Sequence, residues 1–227
     1  EWIVRELNRR AATPAAANIW LKRIRQLLDH GVDLGMINDN PARRVRLIRH
    51  KCKGIADWPE DQISIFQNYW KIGARERLAF DLLLYTGQRR SDVVRMARSN
   101  IQDGAIRVVQ MKTGVALWLP IHPALVVSIN ATPCGGLYLV ETAQGRPFTA
   151  AGFGNAFREW CSAAGVGRQF SAHGLRKAAA RRLAEAHASV HEIAAVTGHK
   201  TLAEVARYTA AADQRRNAEA AISRIGT

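Results

Sequence analysis

The chain has 227 residues, 48 % hydrophobic and 7 % aromatic, which suits one ordinary domain with a smaller one beside it and excludes an intrinsically disordered chain. Its 33 Lys and Arg against 19 Asp and Glu leave a net charge of +14, which points to a polyanionic partner, because neutralising phosphates releases condensed counterions. No apolar run approaches the roughly 20 residues that span a bilayer, no signal peptide opens the chain, and the basic residues are too dispersed for one membrane-surface helix.

The chain opens at Glu1 in what reads as mid-helix, as expected of a fragment. Thr13 before Pro14 is a helix start, a hydroxyl cap followed by a proline whose missing N–H does no harm there. Trp20, Ile24, Leu27, Leu28 and Leu34 recur near helical spacing and predict one long helix with a short continuation to about Pro41. Next come Arg43, Arg44, Arg46, Arg49, His50, Lys51 and Lys53, closed by Gly54. This stretch reads either as a solvated linker or as a strap along a phosphate backbone, which needs charge but no fixed structure. The division expected is 1–55 for the first unit and 56–227 for the second.

Pro59 to about Trp70 reads as a helix, and "RERLAFDLLLYTG" as a more apolar one ended by Gly87, after which Ser91 or Asp92 can cap the next. "AIRVVQMKTGVALWLPI" changes period, with β-branched residues on both sides of a Lys-Thr-Gly turn, and predicts a hairpin. Helices then resume: Thr149 caps one to about Ala164, and a long one starts near His173. Ser189-x-x-Glu192 and Thr201-x-x-Glu204 are capping boxes marking two short helices joined around "TGH". The predicted class is mainly α with a small antiparallel β-sheet. Cys52, Cys134 and Cys161 are isolated, suggest neither a zinc knuckle nor a disulfide framework, and fit a reducing, cytoplasmic compartment.

Several residues can carry chemistry. His187 and His191 are four apart, a spacing metal sites use, but Ala188 stands where a metalloprotease needs glutamate, so they read as a surface pair and no metal is expected. His173 and Arg176 are three apart and share a helix face, where they can meet one anion; such a pair also serves as an ordinary surface ion-pair partner. Arg89 and Arg90 follow a helix-ending glycine and can project into a cleft, with Asp92 near enough to hold one of them, or they can simply serve the helix dipole. Lys112 sits at the hairpin tip, able to give a proton to a leaving oxygen or to be a plain polar turn. Tyr208 lies nine residues after His199. A phenol with a pKa of ~10 is a poor nucleophile unless cations stabilise the phenolate and a base takes its proton.

In this order, "TGQRR", "MKTG", "HGLR", "TGH" and "RYT" resemble the tyrosine recombinase (phage integrase) family, from about Asp57 to the end. The segment from "TPAAANIW" to "NPARRV" is similar to the last helices of that family's helical, SAM-like core-binding domain. The resemblance implies that Arg89 and Arg176 clamp a scissile phosphate and that Lys112 is the hairpin lysine. His173 and His199 fill the two histidine positions, Tyr208 is the nucleophile, and Asp92 supports the first arginine. It further implies a 3′-phosphotyrosyl intermediate formed without cofactor or ATP, double-stranded DNA as partner, and a homo-tetramer on DNA through the C-terminal helix. That tail aligns Ala218, Ile222 and Ile225, which can instead cap its own domain. Two other readings stand beside this one. "SVHEIAAVTGHKTLAEVARYT" also reads as a helix-turn-helix of a non-enzymatic DNA-binding regulator, and a monomeric type IB topoisomerase-like relaxase shares the chemistry.

Overall fold

The computed structural model describes residues 1–50, 54–133 and 135–225; within the last helix the side chains of residues 207, 208, 211–213 and 215–217 are not described. Cys52, Cys134, Lys51 and Lys53 therefore lie outside the described residues. The chain divides into two compact units, Glu1–Gly54 and Ile55–Thr227. No helix among the described residues is long and apolar enough to cross a membrane.

The first unit has helices α1 (Trp2–Arg9) and α2 (Pro14–Asp33), then a short 3-10 turn at Pro41–Arg44. Leu7, Ala17, Leu21 and Ala42 form its core, with Trp20, Ile24 and Leu28 packed at the edge. The long helix stops at Asp33, short of the expected end, because Gly35 at φ +69° turns the chain away. Asn40 then caps the 3-10 turn by accepting from the Ala42 amide. Leu27 and Leu34, expected on the apolar face, are 65 % and 60 % exposed. The basic stretch is no loose linker up to residue 48. Asn18 clamps Ile48 by donating to its carbonyl (2.8 Å) and accepting from its amide (2.9 Å), and Arg25 donates to the Ala42 carbonyl. Arg43, Arg44, Arg46 and Arg49 remain exposed, with Arg43 paired to Asp29 and Arg44 to Asp39.

The second unit runs α3 (Glu60–Tyr69), α4 (Arg75–Thr86), α5 (Arg90–Val93), β1 (Ile101–Gln102), β2 (Ala105–Val109), β3 (Ala116–Pro120), α6 (Pro123–Ala131), α7 (Ala150–Ala163), α8 (Ala172–Glu185), α9 (Val190–Thr197) and α10 (Leu202–Ser223). The strands form an antiparallel sheet in the order β1-β2-β3, with Arg107 opposite Trp118 on its exposed face and Val108 pointing inward. Helix α4 buries every residue from Leu78 to Leu84, as a central helix does. Small residues on α8 (Ala178, Ala179, Ala180, Ala184) let α4, α9 and α10 approach it closely. Trp58 sits among Phe66, Phe80, Phe157 and Phe170, and its indole N–H donates to the Ser171 carbonyl at the start of α8.

Two boundaries differ from expectation. Helix α5 is capped by Arg89, with Ser91 and Asp92 already inside it, since only Gln88 and Arg89 separate it from the end of α4 at Gly87. Helix α10 is not short: it has 22 residues and takes in the tail as far as Ser223, with Ile225 just beyond its end, and Thr201 stands at its cap without a side-chain bond. Ala218, Ile222 and Ile225 are exposed, the last two at 68 % and 71 %, so this stripe does not cap its own unit.

Charges fasten the first residues of this unit to α8. Arg181 bonds Asp57, Glu60 and Glu185, and Arg182 bonds Glu60. Hydrogen bonds from Arg182, then Arg181, bring the Glu60 pKa down to about 2 from an ordinary 4.5. A carboxylate held low stabilises the fold fully above its unfolded value and loses that contribution as pH falls towards the folded one. Glu60→Gln is therefore expected to cost about 1 kcal/mol at neutral pH, allowing for solvent screening. Thermal midpoints of the two proteins should converge as pH falls from ~5 to ~2; a constant gap contradicts this.

Candidate active site

Three chain reversals meet at one place. Helix α4 ends in the left-handed Gly87, α9 ends in the left-handed Gly198, and the β2–β3 hairpin turns through Lys112. Helix α8 lays Arg176 beneath them, 2 % exposed. Its Nη1 donates to the Gly87 carbonyl (2.8 Å) and to the Thr197 carbonyl (2.6 Å), so one guanidinium nitrogen ties two turns to α8. The plane of the guanidinium is set by those bonds.

Gln110, fully buried just before the hairpin turn, joins the same parts from the other side. Its Oε1 accepts from Arg89 Nη1 (2.9 Å) and Thr113 Oγ1 (2.7 Å), while its Nε2 donates to Gln88 Oε1 (2.7 Å) and to the Thr197 carbonyl (2.8 Å). Gln88 in turn donates to the carbonyls of Thr86 and Val196. Every polar atom of the Gln110 side chain is thereby satisfied, as a buried amide requires. Arg89 is half-buried and donates to the neutral Gln110 amide rather than to a carboxylate, so its charge remains available to an anion.

Asp92 does something other than the support expected of it. Its buried carboxylate accepts from the Met111 amide (2.9 Å) rather than from Arg89, whose bond goes to Gln110. Asp92 thus holds one side of Lys112 and Thr113 the other, leaving the lysine exposed between two anchors.

His173 opens α8 one turn before Arg176. Partial desolvation, then the charges of Arg176, Lys177, Arg89 and Lys112, keep its pKa below that of a free histidine. His199 follows Gly198; burial first, then Arg176, Arg89 and His173, bring its pKa down to about 4. Both rings are neutral near pH 7 in this cationic setting. Arg89, Arg90, Ser91, Arg158, Ser171 and His173 border a cleft of about 600 Å3 with no acidic residue among its described lining. The fold thus brings Arg89, Lys112, His173, Arg176 and His199 together. Tyr208 lies on α10 at a position whose side chain falls outside the described residues, with Val205 and Thr209 buried beside it. Helix α10 packs on α8, which carries His173 and Arg176. His187 and His191 stay exposed and apart from the site.

Gln88 and Thr197 lie inside the "TGQRR" and "TGH" motifs, but the sequence assigns no role to them or to Gln110, because hydrogen bonding between distant buried groups has no periodic signature. Gly198 is part of their packing. It sits at φ +69°, and a Cβ there would press into the Gln110 amide and force it off its partners. Gly198→Ala is expected to destabilise the fold by roughly 2–4 kcal/mol, combining left-handed strain with the clash. Denaturant unfolding measures this, and a cost under about 0.5 kcal/mol is the opposing result.

A model of the phage integrase family matches residues 59–215. The integrases of Enterobacteria phage 434 and Escherichia phage lambda are each 28 % identical to the chain over 186 residues, 77 % of this chain and 52 % of theirs. The chain thus spans about half the length of these curated relatives. A crystal structure of a lambda integrase dimer bound to a COC′ core site superimposes with a TM-score of 0.78 at 23 % identity, over 91 % of this chain and 63 % of that one. XerA recombinase gives 0.64 at 16 % identity, over 78 % and 70 %. At those identities the structures show a shared fold.

Proposed function

The chain belongs to the phage integrase family, and from that premise we propose that it is a site-specific recombinase that cuts and rejoins double-stranded DNA through a 3′-phosphotyrosyl intermediate. The observation that carries this reading is the shared Arg176–Gln110–Thr197 network, which gathers two guanidiniums, a lysine and two imidazoles from four elements around one spot. Phosphoryl transfer asks for such an arrangement: charge on the non-bridging oxygens, an in-line nucleophile and a proton for the leaving oxygen. Arg89 and Arg176 hold the scissile phosphate. Tyr208 Oη bonds to phosphorus as the bond to the 5′-oxygen breaks, and Lys112 protonates that oxygen. His173 helps take the phenol's proton, and His199 meets the phosphate. The covalent link conserves the bond energy, so rejoining to a second strand needs neither ATP nor a cofactor.

Exposed Arg46 and Arg49 suit a DNA backbone, with Arg43 and Arg44 beside them; this supports reading 1–55 as part of a core-binding domain and 56–227 as the catalytic one. Relatives of this fold include a lambda integrase tetramer bound to a Holliday junction. We take the exposed Ala218, Ile222 and Ile225 stripe as this chain's means of docking on a neighbouring protomer, in a tetramer on DNA in the cytoplasm.

The regulator reading is disfavoured by where its turn lies: Thr197 is bonded to Arg176 and Gln110, which a helix-turn-helix alone does not require. Incubation with a nicked suicide duplex is expected to yield an SDS-resistant protein–DNA band, and its absence would leave the regulator. Junction products from two duplexes are expected of a recombinase; relaxation of supercoiled DNA without them identifies a relaxase.

A further inference from the structure

Thr197 ends α9 fully buried, with its Oγ1 2.6 Å from the Ile193 carbonyl oxygen and 2.7 Å from His199 Nδ1. Two oxygens approach to 2.6 Å only with a hydrogen between them, and a carbonyl has none to supply. The hydroxyl proton therefore lies on the bond to Ile193, the back-bond a threonine makes one helical turn away. The contact with Nδ1 needs a hydrogen too, and the imidazole must furnish it. His199 thus carries its proton on Nδ1, and Nε2 of the neutral ring is an acceptor. Arg176 and His173 from α8 and Arg89 from the α4–α5 turn stand near enough to oppose a second proton.

We propose that Thr197 is a positioning residue that fixes His199 in the Nδ1–H form, so that this histidine enters strand cleavage as a proton acceptor through Nε2 and donates to a phosphate oxygen only once it has taken up a proton. The catalytic half of this rests on the recombinase reading; the tautomer does not. As the Oη–phosphorus bond forms, the phenol's proton must leave, and Nε2 offers it a place beside His173. The imidazolium so formed is the donor that a phosphate oxygen needs, while the 5′-oxygen takes its own proton from Lys112.

The test combines spectra with kinetics on the full chain. With 15N-labelled histidine, and His199→Gln to identify the signal, the DNA-free protein is expected to show a protonated Nδ1 and an unprotonated Nε2. Thr197→Val keeps the side chain's shape and the carbonyl that serves Arg176 and Gln110, but removes the acceptor for Nδ1. It is expected to slow single-turnover cleavage roughly 10- to 100-fold, the range for a group that orients a functional side chain, with DNA affinity unchanged and both tautomers visible. Thr197→Ser is expected to restore the rate to within a few-fold and the single tautomer. A wild-type signal with Nε2 protonated overturns the proposal, as does a valine variant matching the serine one in rate. If the wild type itself formed no adduct, the recombinase reading would fail instead, and the spectra alone would decide the tautomer.

Discussion

Replacing Arg176 with alanine is expected to lower single-turnover strand cleavage by roughly 10^3-fold or more, the scale on which an arginine stabilises phosphoryl transfer. The loss has two sources that can be separated. The guanidinium is 2 % exposed and donates to the Gly87 and Thr197 carbonyls, so its removal takes the side-chain donor from Gly87 and leaves Thr197 with the Gln110 amide alone. A buried acceptor left unsatisfied costs about 1–3 kcal/mol, and the melting midpoint should fall by several degrees. Cleavage measured well below that midpoint isolates the second source, the lost charge on the phosphate. Arg176→Lys sharpens the comparison, because a point charge cannot reproduce a planar fork that holds two carbonyls and, in the proposed reaction, a phosphate as well. Cleavage that fell only in step with the folded fraction would make Arg176 a structural residue.

Tyr208→Phe is expected to remove covalent adduct formation altogether, on the order of 10^4-fold or more, as when other covalent nucleophiles are deleted. The substitution takes away one oxygen and leaves the ring. DNA affinity should stay within about twofold, because phosphate contacts by Lys and Arg supply most of it. A free phenol is almost wholly protonated at neutral pH; in the proposed reaction Arg89, Arg176 and Lys112 are the cations that favour the phenolate, and the two neutral imidazoles are the acceptors for its proton. An equal loss of DNA binding in the phenylalanine protein would point to a packing role on α10.

Much of this arrangement is legible in the sequence where a local rule governs it. Gly87 and Gly198 end their helices in the left-handed conformation, Thr149 and Ser189 cap theirs, and Lys-Thr-Gly turns the hairpin. The motif residues Arg89, Lys112, His173, Arg176 and His199 come together as their order along the chain suggested. What escapes is whatever depends on distant partners. Gln110 and Thr197 lie 87 residues apart and meet only in the fold, so no spacing announces them. Asp92 lies three residues after the first arginine of the site, yet the hairpin folds across and claims its carboxylate through the Met111 amide. The end of α2 departs from the apolar period for a similar reason: Leu34 continues that period, but Gly35 turns the chain before it can be used. The tail's apolar stripe was legible as a stripe; only the fold shows that it faces away from its own unit.

In the proposed reaction one phenol of this chain becomes joined to a DNA 3′-phosphate. Trypsin cuts after Arg207 and Arg215, so the adduct trapped on a nicked suicide duplex and trimmed by nuclease should appear by mass spectrometry on the short peptide that begins at Tyr208. A 3′-phosphonucleotide on that tyrosine is the result predicted here. The same mass on Tyr69, Tyr85 or Tyr138, or on a serine, or its absence from every peptide under conditions where the duplex is bound, would contradict the account.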